Sequence, residues 1–326
     1  MRNNLFREIP CVVTGGAGFI GSHLADRLLA LGSEVLVIDN LATGRIANIR
    51  QHEGNPRFRF VKGDIRDKAM ARIIAEYEPD LVFHMAAHWQ TLSVKEPLTD
   101  AEVNIMGMLN LLEGVRQSRS DPFIINGSSA TVYGSPSKLP MSEDDLPLPL
   151  TPYGAAKLAS EQYLVIYESL YGLRGLSLRY FNIYGPRQWT MGVISQWVWA
   201  LLNGAQIEIY GNFTRDFTFV DDAVAATLLA GERRVSGVIN VGSGKDVSLR
   251  DLITLVRTIV PSNSTVVKRP PRSVDVYTKR LADISKARKI LGYAPSVSLE
   301  EGIRRVAEWW RQVQLKRPRD PNVSAS

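Results

Sequence analysis

Short apolar runs alternate with amphipathic segments over the first half of the chain. Residues 10–15 (PCVVTG) and 34–40 (EVLVIDN) predict buried strands, and residues 21–32 between them have helical periodicity that stops at Gly32. The pattern then predicts four more strands, at residues 57–64, 80–87, 122–129 and 173–182. Helices are predicted between them at residues 69–79 and 100–118 and from Thr151 onward. Repeated strand, helix, strand order predicts an α/β fold with a parallel sheet covered by helices on both faces.

Proline and glycine interrupt the pattern after about residue 180. A helix at residues 193–204, a strand at 206–211 and a helix opened by residues 214–222 are followed by three predicted helices, at residues 248–260, 281–293 and 298–314. We therefore expect a first domain over residues 1–180 and a smaller mixed lobe over 181–315, some segments of which return to the first domain. Residues 316–326 are expected to be a flexible tail.

Composition removes several classes of function. With 45% hydrophobic and 22% charged residues, the 326-residue chain is typical of a soluble globular protein. No apolar run reaches about eighteen residues and no leader-like segment opens the chain, so we expect a cytoplasmic protein that does not span a membrane. The single cysteine, Cys11, is expected to be a buried apolar residue, and four scattered histidines predict no metal site. The net charge of +6 is spread along the chain, so it is a weak signal for nucleic acid, and an anionic small ligand explains it equally well.

A glycine-rich turn, VVTGGAGFIGSHLA, joins the first predicted strand to the first predicted helix. Gly15, Gly18 and Gly21 have the spacing that permits a tight turn, lets a pyrophosphate approach the backbone and lets helix and strand pack closely. Asp39, at the end of the next strand, is placed to accept hydrogen bonds from the adenosine ribose and to repel a 2′-phosphate. These features predict a Rossmann-type, doubly wound fold that binds NAD rather than NADP. Arg45 is interpreted as a solvated loop residue.

Several motifs in order, TGGAGFIG, GDI, HMAA, SSATVYG, YGAAK and RYFNIYGP, resemble the extended short-chain dehydrogenase/reductase family, and specifically its nucleotide-sugar epimerases and dehydratases. The resemblance covers about residues 9 to 312. It implies that the cofactor is NAD and the substrate a nucleotide-diphosphate sugar, most simply a UDP-sugar. The cofactor contacts it implies, together with Tyr153 and Lys157, are Gly15, Gly18, Phe19, Ile20, Gly21, Asp39, Asn40, Asp64, Ile65, Ala86, Ala87, Asn104 and Tyr180.

Tyr153 and Lys157 are predicted to lie on one face of a helix that Thr151 caps and Pro152 begins. An ammonium about 4 Å from a phenolate stabilises it by about 4 kcal/mol at an effective dielectric constant of ~20. This interaction could lower the phenol pKa by up to about three units, which makes Tyr153 a candidate base near neutral pH. The resemblance implies that Lys157 also holds the nicotinamide ribose. It further implies that Ser129 hydrogen-bonds the reacting sugar oxygen and that Thr131 offers a second hydroxyl nearby.

The residues after Ser129 bear on which reaction follows the first oxidation. Sugar 4,6-dehydratases of the resembled family carry an Asp-Glu pair there, and decarboxylating relatives carry a glutamate at the position of Thr131, whereas this chain has Ala130 and Thr131. Without a second acid and base, the simplest fate of a 4-keto sugar is return of the hydride to its other face. We therefore expect a UDP-sugar 4-epimerase. A 5,6-dehydratase or a reductase of the same family remains an alternative, and a non-catalytic NAD-binding protein is a third hypothesis.

The resemblance also implies a set of substrate contacts in the second half of the chain. They are Asn182, Tyr210, Arg215, Arg272 and Asp275, with Ser129 from the first half. Two segments depart from the usual pattern. His88 and Trp89 stand where smaller or polar residues are common, and one extra residue before Asp283 brings Lys279 and Arg280 near the sugar pocket. His88 is either a substrate contact or a satisfied loop histidine, and the basic residues would suit an acidic sugar or face solvent. Trp197, Trp199, Trp309 and Trp310 are interpreted as packing residues.

A homodimer is also implied by the resemblance. The expected interface consists of the helices around residues 101 to 118 and 152 to 171.

Overall fold

Seven parallel strands form the central sheet. The computed structural model describes residues 5–135, 138–189, 192–271 and 279–315. The strands of the central sheet and of three smaller two-stranded sheets are, in chain order, β1 (Pro10–Thr14), β2 (Glu34–Asp39), β3 (Phe58–Lys62), β4 (Leu81–His84), β5 (Phe123–Ser129), β6 (Gly175–Tyr180), β7 (Ile183–Tyr184), β8 (Ile207–Tyr210), β9 (Thr214–Asp216), β10 (Thr218–Phe219), β11 (Gly237–Val241), β12 (Asp246–Ser248) and β13 (Val266–Arg269). The order of the seven strands across the central sheet is β3, β2, β1, β4, β5, β6, β11, and every neighbouring pair is parallel. The predicted doubly wound α/β fold is thus confirmed.

Helices cover both faces of this sheet. They are α1 (Phe19–Ala30), α2 (Lys68–Tyr77), α3 (Gln90–Ser93), α4 (Pro97–Ala101), α5 (Gly107–Gln117), α6 (Pro152–Tyr171), α7 (Val193–Leu202), α8 (Val220–Arg233), α9 (Leu249–Ile259), α10 (Ser285–Leu291) and α11 (Leu299–Leu315). The helix predicted over residues 100–118 begins earlier, at α4, and passes through a π-helical stretch at Glu102–Met106 before it continues as α5.

The helix predicted over residues 281–293 is shorter in the structure, where only α10 forms. The backbone of residues 281–283 pairs instead with Met141, whose amide donates to the Leu281 carbonyl oxygen at 2.8 Å and whose carbonyl oxygen accepts from the Asp283 amide at 2.8 Å. Asp216 binds the amide of Ala282 at 3.2 Å as well. Because these backbone groups are satisfied by distant partners, the segment stays extended although its side-chain pattern is helical.

β11 was not predicted. Its five residues contain only three apolar ones, and they lie in the half of the chain where the strand and helix alternation has already broken down. Pairing with β6 makes β11 the edge of the main sheet, so a segment of the second half of the chain completes the first half's sheet.

Adjacent residues of each central strand pack into different cores. Val13 and Val37 belong to one apolar cluster, whereas their neighbours Val12, Leu36 and Ile38 belong to another. Successive side chains of a strand point to opposite faces of the sheet, and both faces are buried here, so continuous apolar runs are the expected sequence pattern. Cys11 is buried in the first cluster, as predicted. No helix of the described residues is long and apolar enough to cross a bilayer.

A buried ion pair links α6 to β5 and β6 of the central sheet. Glu161 of α6 accepts from Arg179 of β6 at 3.0 and 2.7 Å, and from the Ser128 hydroxyl of β5 at 2.5 Å. Both charged side chains are at most 5% exposed. Such a pair contributes little net stability, but removal of one partner strands the other charge in a low-dielectric interior.

We predict that Arg179→Met lowers the free energy of unfolding by about 3 to 5 kcal/mol, because Glu161 then loses its cation while still buried. Urea unfolding measures this change. The matched control is Arg304→Met, which breaks a solvent-exposed pair with Glu300 and is expected to cost about 1 kcal/mol or less. Equal losses in the two variants would contradict this account of the buried pair.

Candidate active site

A cavity of about 690 Å³ runs along the carboxyl ends of the central strands. Ligand sites in open parallel sheets characteristically lie at this edge. All the sequence-predicted cofactor residues except Asn104 line this cavity, as do the predicted substrate residues Ser129, His88, Asn182, Tyr210 and Arg215. The structure therefore brings both predicted sets, which come from separate parts of the sequence, to one continuous cavity.

The glycine-rich turn joins β1 to α1, as predicted, and lies against the segment that follows β4. Gly15 has a φ of +67°, and a Cβ atom there would lie 2.6 Å from the Ala86 amide nitrogen. A Cβ atom at Gly21 would overlap the carbonyl oxygen of Gly15. No side chain caps the first turn of α1, whose N-cap is Gly18, so its amide groups remain available to an anion. This arrangement fits the pyrophosphate of a dinucleotide.

Asp39 lies beside this turn, at the end of β2. Its carboxylate accepts hydrogen bonds from the amides of Ala17 at 3.0 Å and Leu41 at 2.7 Å, and burial raises its pKa. The carboxylate is thereby held at the point where an adenosine ribose would be read. Arg45, expected to be a solvated loop residue, is exposed, but its guanidinium stacks over Trp189 at 3.7 Å from the ring centroid.

A polar cluster that the sequence predicted only in part lies where Asp64 borders the cavity. Asn40 donates to Asp64 at 2.8 Å, and Arg66, which was not predicted, binds the same carboxylate at 2.9 Å and Glu102 at 2.8 Å. The Arg66 guanidinium holds the pKa of Asp64 well below its usual range. Asp64 is therefore a fixed anion next to Ile65, where the adenine contact is predicted.

Tyr153 and Lys157 lie one turn apart at the start of α6, as predicted. Thr151 caps the helix by accepting from the Gly154 amide at 3.1 Å. The Lys157 ammonium lies 5.7 Å from the centroid of the Tyr153 ring and donates to the Gly127 carbonyl oxygen at 2.8 Å. Helix capping thus sets the register that puts both side chains on the cavity wall.

The expected direction of the Tyr153 pKa is wrong for the protein chain by itself. Burial raises this pKa well above its usual range and the nearby Asp100 carboxylate raises it further, whereas a hydrogen bond with Ser129 and the charge of Arg280 lower it. Because desolvation disfavours the phenolate, it outweighs the favourable charges. The Coulomb argument from sequence omitted this cost, which only the tertiary structure reveals.

Lys157 is the member of the pair that titrates closer to neutrality. Burial lowers its pKa to about 8, although the carboxylates of Asp100 and Glu161 act in the opposite direction. Of the two groups, the Lys157 ammonium therefore loses its proton first as the pH rises. The site therefore has a base available near neutral pH even though the phenol alone is a weak acid.

Two residues expected in the site lie outside the cavity lining. The side chain of Thr131 is buried behind Ser129, to whose hydroxyl oxygen the Thr131 amide donates at 3.2 Å. Asn104 is also buried, and its side chain binds the backbone of His88, accepting from the amide at 3.1 Å and donating to the carbonyl oxygen at 3.3 Å. Both act on residues of the cavity wall rather than on its contents.

His88, for which the sequence left two roles open, lies at the cavity wall close to two carboxylates. Its side chain lines the cavity and is 11% exposed, with Nδ1 3.5 Å from the Asp100 carboxylate and Nε2 3.4 Å from that of Glu96. Asp100 was not predicted. The only signal in the sequence is its position four residues before Asn104, which donates to it at 2.8 Å.

The far end of the cavity lies among the strands of the second half of the chain. Tyr210 donates to the Glu208 carboxylate, a residue that sequence reasoning missed, and Glu208 also pairs with Arg269 at 2.9 Å. Arg215 lies with its guanidinium carbon 4.8 Å from the Phe213 ring centroid. Trp197, expected only to pack, also lines the cavity. Arg272 and Asp275 lie outside the described residues.

Arg280 reaches the cavity from the segment before α10. It is 6% exposed and close enough to Tyr153 for its charge to act on the phenol. Lys279, the other basic residue expected here, is exposed and does not line the cavity. The side-chain oxygens of Asn182 and Gln188 face the same cavity, buried and without a hydrogen-bond partner among the described residues. Buried acceptors of this kind require a ligand or water to satisfy them.

Across the described stretches of the chain, no three His, Cys, Asp or Glu side chains come together as a metal-binding group.

Comparison with known proteins agrees with this geometry. The family model described as GDP-mannose 4,6 dehydratase matches residues 12–306. The UDP-glucose 4-epimerase of Mycolicibacterium smegmatis is 40% identical over 92% of this chain and 98% of its own length. The crystal structure of the Thermotoga maritima UDP-glucose 4-epimerase with UDP-glucose has 39% identity and a TM-score of 0.87, and the match covers 93% of this chain and 99% of that one.

The UDP-glucose 4-epimerase of Thermus thermophilus, solved as a complex with NAD, has 36% identity and a TM-score of 0.86, with 92% of this chain and 98% of that one covered. Both the family match and the curated relative extend over nearly the whole chain. The chain therefore belongs to the GDP-mannose 4,6-dehydratase family, within the extended short-chain dehydrogenases/reductases.

Proposed function

We propose that the protein is an NAD-dependent nucleotide-sugar 4-epimerase that acts on a UDP-sugar through a transient 4-keto intermediate. One observation carries the choice of reaction. Tyr153, Lys157 and Ser129 meet at the cavity wall, whereas the two positions after Ser129 hold Ala130 and Thr131, both buried and outside the lining. A base for reversible oxidation is present there, and the extra acid and base that elimination needs are absent from those positions.

The cavity fits NAD at its first half. The glycine turn and the uncapped α1 suit a pyrophosphate, and Asp39 suits a ribose with free hydroxyls. When bound, NAD supplies the hydride acceptor and a cationic ring whose charge favours the phenolate. Solved relatives of this chain include a UDP-glucose 4-epimerase complexed with NAD and another with UDP-glucose.

The chain's own residues handle the proton. The phenolate oxygen of Tyr153 takes the proton of the sugar 4-hydroxyl while Ser129 hydrogen-bonds the same sugar oxygen. When Lys157 is protonated, its positive charge beside Tyr153 stabilises the phenolate form of that residue. In the return step Tyr153 gives the proton back to the sugar oxygen, and the configuration at C4 depends on which face of the keto-sugar then receives hydride. No net proton or electron is gained or lost.

We further propose that the second half of the cavity binds the nucleotide. Arg215 is the candidate diphosphate cation, and Tyr210 and Phe213 are the candidate flanks of the base. Asn182 is proposed to bind beside the diphosphate and sugar, which would satisfy its buried oxygen. Arg280 at the sugar end suits a substrate with an acidic substituent, such as a uronate.

The alternative within the family is a dehydratase or a reductase that shares the first oxidation. The family model that matches this chain is named for a dehydratase, which supports the dehydratase as the second candidate. A non-catalytic NAD-binding protein would have no need for a complete Tyr153, Lys157 and Ser129 set on the cavity wall.

Incubation with UDP-, dTDP- and GDP-sugars, followed by mass spectrometry and NMR, tests the proposal. We expect at least one UDP-sugar to yield a product of unchanged mass with inverted C4 configuration, since epimerisation conserves every atom. The control is Tyr153→Phe, which removes the acid and base and should abolish turnover while NAD stays bound. Loss of one water from the substrate would identify a dehydratase. More than a few per cent residual activity in Tyr153→Phe would contradict the role of the phenol.

The pH dependence follows from the Tyr153 and Lys157 pair. Because burial lowers the pKa of Lys157 to about 8, the fraction of protein in which Lys157 is unprotonated falls as the pH drops below that value. We expect kcat/KM to fall by tenfold per pH unit as the pH drops through a single ionisation at or below about pH 8. Lys157→Arg, which keeps the charge but cannot lose the proton, should move this ionisation to higher pH. An unmoved ionisation in that variant would exclude Lys157 from the titrating pair.

We also propose that the protein acts as a homodimer in the cytoplasm, where NAD and nucleotide sugars are available. Exposed apolar side chains lie on the two neighbouring helical segments where the interface was expected. They are Leu98, Met106, Val165, Ile166, Leu170 and Tyr171. Large apolar side chains exposed on neighbouring helical segments favour burial against a second copy of the same chain.

The double variant Ile166→Asp, Leu170→Asp should convert the dimer to a monomer, because two buried carboxylates would lie unpaired in the interface. Sedimentation velocity or light scattering after gel filtration measures the mass. The control is Leu315→Asp, at the end of α11, which places a carboxylate on an exposed leucine outside the two helical segments of the proposed interface. A parent protein that is monomeric at micromolar concentration, or a double variant that stays dimeric, would overturn the proposed interface.

A further inference from the structure

A glutamine that the proposed mechanism does not use faces the cavity from the segment between β7 and α7. The Gln188 side chain lines the cavity, and its Nε2 donates to the Ile183 carbonyl oxygen at 2.9 Å. Its Oε1 is buried and has no hydrogen-bond partner among the described residues. A buried acceptor of this kind needs a donor from a ligand or from water.

The Ile183 carbonyl oxygen decides which end of the Gln188 amide is left without a partner. A carbonyl oxygen can only accept a hydrogen bond, so the NH2 group of Gln188 must lie against it and the oxygen at the other end. Gly192, the N-cap of α7, packs against the same amide, since a Cβ atom there would lie 2.4 Å from Nε2 and 2.5 Å from Oε1. The amide is therefore held in one orientation.

The residues on either side of Gln188 have a strained backbone. Arg187 has a φ of +67° and Trp189 a φ of +52°, in the left-handed region that residues with a side chain rarely adopt. Strain of this kind persists only where the surrounding structure holds it, and it is concentrated at ligand-binding and active sites. Two such residues around one cavity-lining side chain point to a segment that is shaped for binding.

Helix α1, which begins at the glycine-rich turn, anchors this segment on one side. The Arg187 guanidinium pairs with the Asp26 carboxylate of α1 at 2.7 Å. The carbonyl oxygen of Pro186 accepts from the His23 ring of the same helix at 3.0 Å. These contacts tie the two residues before Gln188 to the helix whose first turn is proposed to bind the NAD pyrophosphate.

The Trp189 ring anchors the segment on the other side. It lies against the Arg45 guanidinium, 3.7 Å from its carbon, and the Arg45 amide donates to the Ala17 carbonyl oxygen of the glycine-rich turn at 2.9 Å. The same ring meets those of Trp309 and Trp310 in α11 edge to face, with centroids 5.1 and 5.7 Å apart. Trp189 is thereby held between the glycine-rich turn and α11.

We propose that Gln188 is a ligand-binding residue whose Oε1 accepts a hydrogen bond from a hydroxyl or N–H group of a bound nucleotide, and that Arg187 and Trp189 position it. A diphosphate cannot satisfy this acceptor, because its oxygens carry no proton near neutral pH. The donor therefore belongs to a ribose, a sugar or a base, of either NAD or the nucleotide-sugar. The inference rests on the proposed function for the identity of these two ligands, but its test measures binding rather than turnover.

Ligand binding to the holoenzyme of Gln188→Met tests the proposal. Methionine has nearly the length and volume of glutamine but lacks the amide oxygen. The rate at which bound NAD exchanges with radiolabelled NAD is measured first, and the affinities for UDP and for UDP-glucose are then measured by titration calorimetry. We expect about a tenfold faster exchange or about a tenfold weaker affinity for the ligand that supplies the donor, which is the order of effect of one buried hydrogen bond.

The three measurements distinguish the possible donors. Faster NAD exchange places the donor on the cofactor. Weaker binding of UDP-glucose with unchanged binding of UDP places it on the sugar, and weaker binding of both places it on the uridine. Each of these results supports the proposal.

Two further variants accompany Gln188→Met. The matched control is Gln314→Met, the same change in a glutamine of α11 that donates to Asn203 and does not line the cavity, and it should alter none of the three measurements. Arg45→Met removes the guanidinium from the Trp189 ring. It should change the same measurement as Gln188→Met, but to a smaller extent, because the ring keeps its contacts with α11.

Unchanged exchange and affinities in Gln188→Met would overturn the proposal, since water would then be the partner of Oε1. A lower melting temperature with unchanged binding would assign Gln188 a purely structural role and would overturn it as well. So would an equal loss in Gln314→Met. An unchanged result in Arg45→Met would overturn the positioning role of Trp189. A protein that binds these ligands but converts no nucleotide-sugar would contradict the proposed function and leave the test of Gln188 intact.

Discussion

Burial of a lysine next to a tyrosine is the interaction on which the chemistry of this protein depends. Lys157 is 3% exposed, and its ammonium is tied to the Gly127 carbonyl oxygen of the sheet. Tyr153 is half-buried beside it. Partial or complete removal from water raises the cost of a charge on each side chain, so neither group ionises as it would in solution. Burial lowers the pKa of Lys157 to about 8, so this buried amine can lose its proton near neutral pH while the sheet holds it in position.

Three parts of the fold position the residues in and around this pair: α6, the end of β5 and the segment after β4. The capped start of α6 sets the register of Tyr153 and Lys157, and the Glu161 and Arg179 ion pair fastens the same helix to the sheet. The end of β5 supplies Ser129 to the phenol. The segment after β4 supplies His88, which meets Asp100 from α4. Rigid elements therefore fix each group, and the ordered strand ends bring them to one edge of the sheet.

Much of the fold and of the candidate site could be predicted from the sequence because the strongest signals are local. Apolar runs of strand length, a glycine turn at a strand end and a Thr-Pro helix start each depend on a few adjacent residues. The signals failed where distant residues decide the outcome. The segment before α10 has a helical pattern but pairs with Met141, and β11 lies in the half of the chain where the alternation of strands and helices has broken down, so its pairing with β6 is not indicated locally.

The sequence by itself determined which groups are available: a phenol and an amine one helical turn apart, a glycine turn with an acidic residue beyond it, and no carboxylate at positions 130 and 131. Only the tertiary structure decided how those groups ionise. Burial reversed the expected direction for Tyr153, and Asp100, 53 residues before it in the chain, proved to be a neighbouring charge. The physical reason is that desolvation and Coulomb energies depend on distances in space and on surrounding dielectric, which spacing along a chain does not specify.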